Sequence, residues 1–448
     1  MLLKRKEILL VLFFTLIIAT LTYVAALYGN FAIYYYLIIP LIIFFVRLRK
    51  QFIIILYLII LPTSGIIPST ENILGAIGLD EIINIIAIFT FFSYFFKKIK
   101  LNINQKNVKS FLILLIILAI LENIKNAYFN IYGGSFFLVF KRFIFITVKF
   151  LPLFIIIQFI YNSKIRQYVI LGLYISGLII VVSQIFNEHL FSLNFSTIDD
   201  SEFSGFANSS INKINRFSGF YNGDPNSSGT YLLMLIAYIL TQIKKFSQYR
   251  KYLYALVLLY ISGILITASR TVITSFVFVL LMFTYYNKSR KISFQLYLLF
   301  AIVCLFGFDF LSNQLSRFHN ANLQADTSIK DNRIMKWAAY IKFMIDSPIY
   351  FITGSQEEIN VRSAHNVYVQ MLYNIGIIPL LFFLKKITSS FKLLLKQNKE
   401  SIYFIVPFFF ITIFVGELSE VPIFLILFIL ITSETKKQNI NSNIKIHT

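Results

Sequence analysis

Histidine is the side chain whose ordinary pKa lets it accept a proton near neutral pH, and this chain has four: His189, His319, His365 and His447. His447 lies in a basic C-terminal tail, and His189 and His319 lie in polar stretches with no supporting pattern. His365 differs in its setting. The sequence Ser363-Ala364-His365-Asn366 closes a long polar segment and opens an apolar run that continues to Leu384. A neutral imidazole there, beside Asn366, can take a proton from a hydroxyl group. A lone histidine at a helix start is also a common structural feature, so its chemistry depends on which polar groups share its surroundings.

The candidate partners are cations placed at the starts of apolar segments. Arg216-Phe217-Ser218-Gly219-Phe220-Tyr221-Asn222-Gly223-Asp224-Pro225-Asn226 leads into one of them. Asp224 can cap a helix and Pro225 suits its first position. Arg216 beside such an N-terminus makes an anion site, against the alternative of a plain capped loop. Ser269-Arg270 forms a tight turn between two apolar runs, where the arginine either meets a ligand or anchors the membrane interface. Lys141-Arg142 open another segment after Gly133-Gly134, with Lys149 about two turns further in, where a cation in lipid is costly. Arg333 begins an expected helix near 328–346, in which Ile334, Trp337, Ile341 and Ile345 repeat at helical spacing on one face and Arg333 and Lys336 fall on another. Pro348 should stop it. Together the cations suit a diphosphate, with one possible base beside it.

The elements that must position these residues are read from hydropathy. Of 448 residues, 58% are hydrophobic and only 14% charged, which is too apolar for an ordinary soluble domain. The apolar runs do not alternate, as strands of a membrane β-barrel would. They approach the length of about 20 residues that a bilayer-crossing helix needs. The expected class is therefore an all-α polytopic membrane protein with about 14 transmembrane helices in a single integral domain over 1–448. The spans are expected near 8–28, 31–46, 52–62, 82–96, 109–121, 143–160, 168–186, 226–243, 252–268, 271–286, 292–311, 365–384, 402–416 and 419–432. With both termini cytoplasmic, most Lys and Arg fall on the inside, the pattern that sets membrane orientation. The acids of the inner pieces are then only Glu7, Glu400 and Glu434. The net charge of +21 thus reads as a topology signal, and nucleic acid is not expected as a partner. Cys304 stands alone, so no internal disulfide or cysteine metal site is possible. The first span follows Lys4-Arg5-Lys6 without an evident cleavage site and is read as retained. Two long loops, 187–225 and 312–364, fall on the external side, where long loops are more often functional than accidental.

Four elements of the sequence resemble the bacterial O-antigen polymerase/O-antigen ligase superfamily. They are Arg216-Phe217-Ser218-Gly219 with Asp224-Pro225-Asn226, then Ser269-Arg270, then Arg333…Trp337…Ser347-Pro348…Gly354, and last His365-Asn366 followed after nine residues by Gly376. The resemblance covers roughly 205–385. Gly354 is followed by Ser355 where a second glycine is usual two residues on, and Pro379 stands where a ligase often has a small or polar residue. The resemblance implies a GT-C-like glycosyltransferase architecture in the bacterial cytoplasmic membrane, with its active site on the external face. It implies an undecaprenyl-diphosphate-linked oligosaccharide as substrate and inverting glycosyl transfer without a cofactor or metal. It also implies His365 as the base and Arg216 and Arg270 as the residues that hold the diphosphate. Arg142 and Arg333 are added as weaker diphosphate candidates, with Asn366, Asp224 and Asn226 as supporting residues. Membrane lipid, a chain-length regulator and a flippase of the same pathway are the expected partners.

Three other readings compete. A ligase would pass finished glycan to lipid A core. A lipid-linked-sugar glycosyltransferase of another class would use an acid in the first external loop, where Glu71, Asp80 and Glu81 stand. A flippase would place charges and helix breaks near the membrane midplane in paired halves, whereas most charges here sit at segment ends.

Overall fold

The computed structural model describes residues 13, 17, 40–47, 51–60, 83–90, 103–128, 150–160, 162–187, 225–243, 246–267, 269–287, 293–298, 300–301, 333–355, 366–414 and 426–431. Among them every regular element is helical and no strand occurs. The principal helices are α1 (Phe52–Ile60), α2 (Ile103–Tyr128), α3 (Ser163–Asn187), α4 (Pro225–Gln242), α5 (Arg250–Ile266), α6 (Arg270–Tyr286), α7 (Arg333–Asp346), α8 (Pro348–Thr353), α9 (Val367–Ile375), α10 (Ile377–Gln397) and α11 (Ile402–Phe414). The chain divides into two compact units.

The first unit holds α1 and α3. All of Phe52–Leu58 is buried, as expected of a helix that is apolar on every face. Asn162 caps α3 by accepting from Lys164 N at 3.0 Å and Ile165 N at 3.4 Å. Phe52 meets Tyr168 edge-on, with ring centroids 6.1 Å apart. The two helices pack tightly at Gly172, where a methyl group would lie 3.0 Å from Leu58 Cδ1 and 3.2 Å from Ile55 Cα.

The second unit is built around α4. Its stretch Tyr231–Leu240 is sealed from solvent, and its polar residues Ser228, Thr230, Thr241 and Gln242 are buried near its two ends. α5, α6 and α11 pack around it. Phe283, near the end of α6, meets Tyr403, near the start of α11, at 5.2 Å. Since α6 and α11 also pack along their length, they run antiparallel. The last turns of α11 therefore lie toward the first turns of α6. Beyond α11, Phe391 of α10 packs on Phe408 and Phe409, and Phe383 packs on Phe111 of α2 at 5.8 Å.

Some expectations are met in part and others change. Among the described residues one helix, Lys164–Val182, is both long and apolar enough to cross a membrane, with shorter apolar helices at Phe150–Phe159, Ser228–Gln242 and Thr271–Tyr286. The segment 365–384 is not one span. It is broken at Gly376, whose φ of +86° no α-helix contains, into α9 and α10. Helix α10 then runs on through Lys385 and Lys386 to Gln397, where a basic loop was expected. The helix expected near 328–346 occurs as α7, and Pro348 does end it, then serves as the first residue of α8. Its buried face differs from the one hydropathy selects. Tyr340 and Met344 are 5% and 1% exposed, whereas Ile341 and Ile345 are 43% and 66% exposed. The tyrosine and methionine win because they pack on Tyr373 of α9.

Substituting Gly172 with valine should drive α1 and α3 apart. Overpacking of this kind costs about 1–3 kcal/mol. Thermal unfolding of the detergent-solubilised protein should show a lower midpoint for Gly172→Val and a smaller loss for Gly172→Ala.

Candidate active site

Two clusters of helix starts in the second unit carry the candidate residues. The first joins α4 and α6. Pro225 opens α4, as its fixed φ favours. The chain leaving α5 turns at Thr267, whose hydroxyl donates to Ile264 O at 2.7 Å and accepts from Ser269 N at 3.3 Å. Ser269 is extended and caps α6, its Oγ accepting from Val272 N at 3.4 Å. The same hydroxyl donates to Asn226 Oδ1 at 2.8 Å. Gly229 permits this approach: a methyl group on it would stand 3.1 Å from Thr267 Oγ1 and 3.2 Å from both methyls of Val272. Arg270 is the first residue of α6.

The second cluster surrounds α9. Asn366 is extended and buried, and its Oδ1 accepts from Tyr368 N at 2.9 Å and Val369 N at 3.1 Å. This satisfies two of the amides a helix start leaves without partners. Thr412 of α11 uses its hydroxyl hydrogen on the carbonyl of Phe408 or Phe409, so Tyr368 donates to Thr412 Oγ1, at 2.8 Å. At the other end of α9, Ser355 N donates to Tyr373 O at 2.5 Å. There two glycines bring backbones into contact. A methyl group on Gly354 (φ +76°) would lie 2.6 Å from the carbonyl of Asn374, and one on Gly376 would overlap the carbonyl of Ile352. Tyr340 and Phe343 of α7 pack their rings 4.8 and 5.8 Å from Tyr373. Burial, and then the neighbouring phenol of Tyr373, push the Tyr340 hydroxyl above the ordinary tyrosine pKa, so it remains neutral.

α11 relates the two clusters. Thr412 lies near its last turn, at the end directed toward the start of α6, and it holds the first turn of α9 through Tyr368. The starts of α4, α6 and α9 therefore open at one end of this unit.

The structure joins Asn226 to Ser269, next to Arg270, and sets the cap Asn366 at a helix start on the same end of the unit. Arg333 is the first residue of α7 and holds the register position one turn before Trp337, in line with Tyr340 and Met344. His365, Arg216, Arg142 and Asp224 lie outside the described residues, as do Lys149, Glu71, Asp80, Glu81 and most of both long loops. His365 directly precedes the cap of α9. Sequence reasoning named Ser269 only as part of the turn before Arg270, without its cap or its partner, and missed Tyr368 and Thr412. For Ser269 the signal was present, since serine before a helix is a capping residue. Its partner 43 positions away was not readable.

Residues 255–384 match the Wzy_C family, described as O-antigen ligase. The match covers less than a third of the chain and contains Ser269-Arg270, the Arg333-to-Gly354 segment and His365-Asn366 through Gly376. It supports the resemblance to the O-antigen polymerase/O-antigen ligase superfamily over that segment. No curated protein matches the chain.

The glycine contact should be intolerant of any side chain. Gly376→Ala combines a strained backbone with a backbone clash, at a cost of about 2–5 kcal/mol. Asn366→Ala removes only a cap, at about 0.5–2 kcal/mol. Chemical or thermal unfolding in detergent should rank the two in that order.

Proposed function

We propose that this protein polymerises undecaprenyl-diphosphate-linked oligosaccharide repeat units at the outer face of a bacterial cytoplasmic membrane, for O-antigen, capsule or another exopolysaccharide. The observation that carries the reading is the convergence of three helix starts, with Arg270 opening α6 and Asn366 capping α9 directly after His365. The family match over the segment that holds the starts of α6 and α9 supports it. Membrane placement draws support from the apolar helix at Lys164–Val182 and from exposed Ile378, Leu381 and Phe382 on α10.

In this reaction the acceptor sugar hydroxyl attacks the anomeric carbon of the donor. A new glycosidic bond forms from the opposite face, the bond from that carbon to the diphosphate oxygen breaks, and the electron pair leaves with the lipid diphosphate. His365 accepts the hydroxyl proton. Arg216 and Arg270 hold the diphosphate, with Arg142 and Arg333 as further candidates. Negative charge grows on the leaving group, and guanidinium groups fixed beforehand stabilise it better than water does. Helix N-termini directed at the same place add in the same sense. Asp224 and Asn226 support the start of α4.

The ligase reading is favoured by one observation, the family description itself. Deletion phenotypes separate the two. Loss of a polymerase leaves single repeat units on the cell surface, whereas loss of a ligase leaves polymer on the lipid carrier.

The chemical test uses purified protein in liposomes with lipid-linked repeat units. His365→Ala should lower transfer by about 10²–10⁴-fold, and Arg270→Ala by about 10²–10³-fold. Asp80→Asn should leave a product ladder. Wild-type turnover by His365→Ala, with activity lost in Asp80→Asn, would overturn the proposed mechanism.

A further inference from the structure

We infer that Asn226 and Ser269 form a clamp that positions Arg270 for the diphosphate, and that they act as one unit. The inference rests on the reading above and extends it to residues whose role is to hold others in place. Capping α6 requires only that Ser269 Oγ accept from Val272 N, which it does at 3.4 Å. Asn366, Asn162 and Asn398 cap their own helices in just this manner. Ser269 does more. Its hydroxyl hydrogen goes to Asn226 Oδ1 at 2.8 Å, and its own amide goes to Thr267 Oγ1 at 3.3 Å.

The bonds therefore fix Ser269 from three directions, and it is buried, with 1% of its surface exposed. Arg270 is the next residue. Its backbone position is set once Ser269 is set. On the other side, Asn226 stands in the first turn of α4, ten residues after Arg216 in the chain. A bond between Asn226 and Ser269 thus sets the spacing of the two helix starts, one of which carries Arg270. Gly229 lets the helices close enough for the bond to form. A bond between residues far apart in sequence and buried from water is a geometric constraint that a surface contact would not supply.

A clamp of two residues predicts strong non-additivity. Asn226→Ala and Ser269→Gly each break it, and glycine is well tolerated at an N-cap, so the second change spares α6. Kinetics of the full chain in liposomes should show each single variant raising KM for the lipid-linked donor about tenfold, with kcat reduced less. The double variant should be no worse than either single one. Ser269→Thr keeps the hydroxyl and should restore the donor KM. Asn226→Ser, too short to reach Ser269, serves as a second break should Asn226→Ala fail to fold.

Additive effects in the double variant, or single variants with the wild-type donor KM, would overturn the clamp. Arg270→Ala is measured alongside. If Arg270→Ala itself leaves donor KM and kcat unchanged, the diphosphate reading fails. If Arg270→Ala is impaired while the clamp variants are not, only the clamp fails.

Discussion

The contact between Gly354 and Gly376 is the constraint on which the α7–α10 arrangement depends. Both residues have positive φ, and each presses against the other segment's backbone with no room for a side chain. Positive φ is costly for any residue with a Cβ. Close approach adds a second and independent demand for glycine at the same positions. The result is that α8 ends against the junction of α9 and α10, and Ser355 is tied to Tyr373. The chain leaving Ser355 must then return to Asn366, seven residues back along α9, roughly 10 Å at helical rise. The glycine pair thus fixes where the segment leading to Asn366 departs and where it arrives.

A second constraint is set by polar groups in an apolar unit. The middle of α4 offers its neighbours mostly apolar surface, which holds helices together but gives little information about their axial positions. Polar groups at helix ends supply that information, because an unmet hydrogen-bonding group buried away from water is costly. Ser269 with Asn226, and Tyr368 with Thr412, each tie a helix start to a different helix. Lateral packing decides which helices are neighbours. These bonds decide the level at which their ends meet, and the level matters for any site built from helix starts.

Much of this was legible from local chemistry. Pro225 opens a helix, Ser269 and Asn366 cap helices, and Pro348 ends one, because each effect acts within a few residues. Composition indicated an all-helical chain, and the described residues are helical. What failed did so for identifiable reasons. The run after His365 stays apolar across Gly376, so hydropathy contains no break, and the break comes from backbone conformation and from Ile352, which arrives from a distant part of the sequence. On α7, isoleucine outranks tyrosine in hydropathy, yet the aromatic ring of Tyr373 selected Tyr340 and Met344 for burial and left Ile341 and Ile345 exposed. A hydropathy face describes what can be buried, and the partner determines what is.

The candidate site shows the same division. Residue types marked its members one by one: a histidine before a cap, arginines at helix starts, a serine before an arginine. None of those marks distinguishes a structural cap from part of a site, since capping serves both. What separates them is connection between starts. α9 is tied to α11 through Tyr368 and Thr412, α11 lies antiparallel to α6, and α6 is tied to α4 through Ser269 and Asn226. That chain of contacts brings three positive helix ends to one side of the unit. A site for an anionic leaving group needs such an arrangement to exist before the reaction begins, because groups already in place stabilise developing charge with little reorganisation.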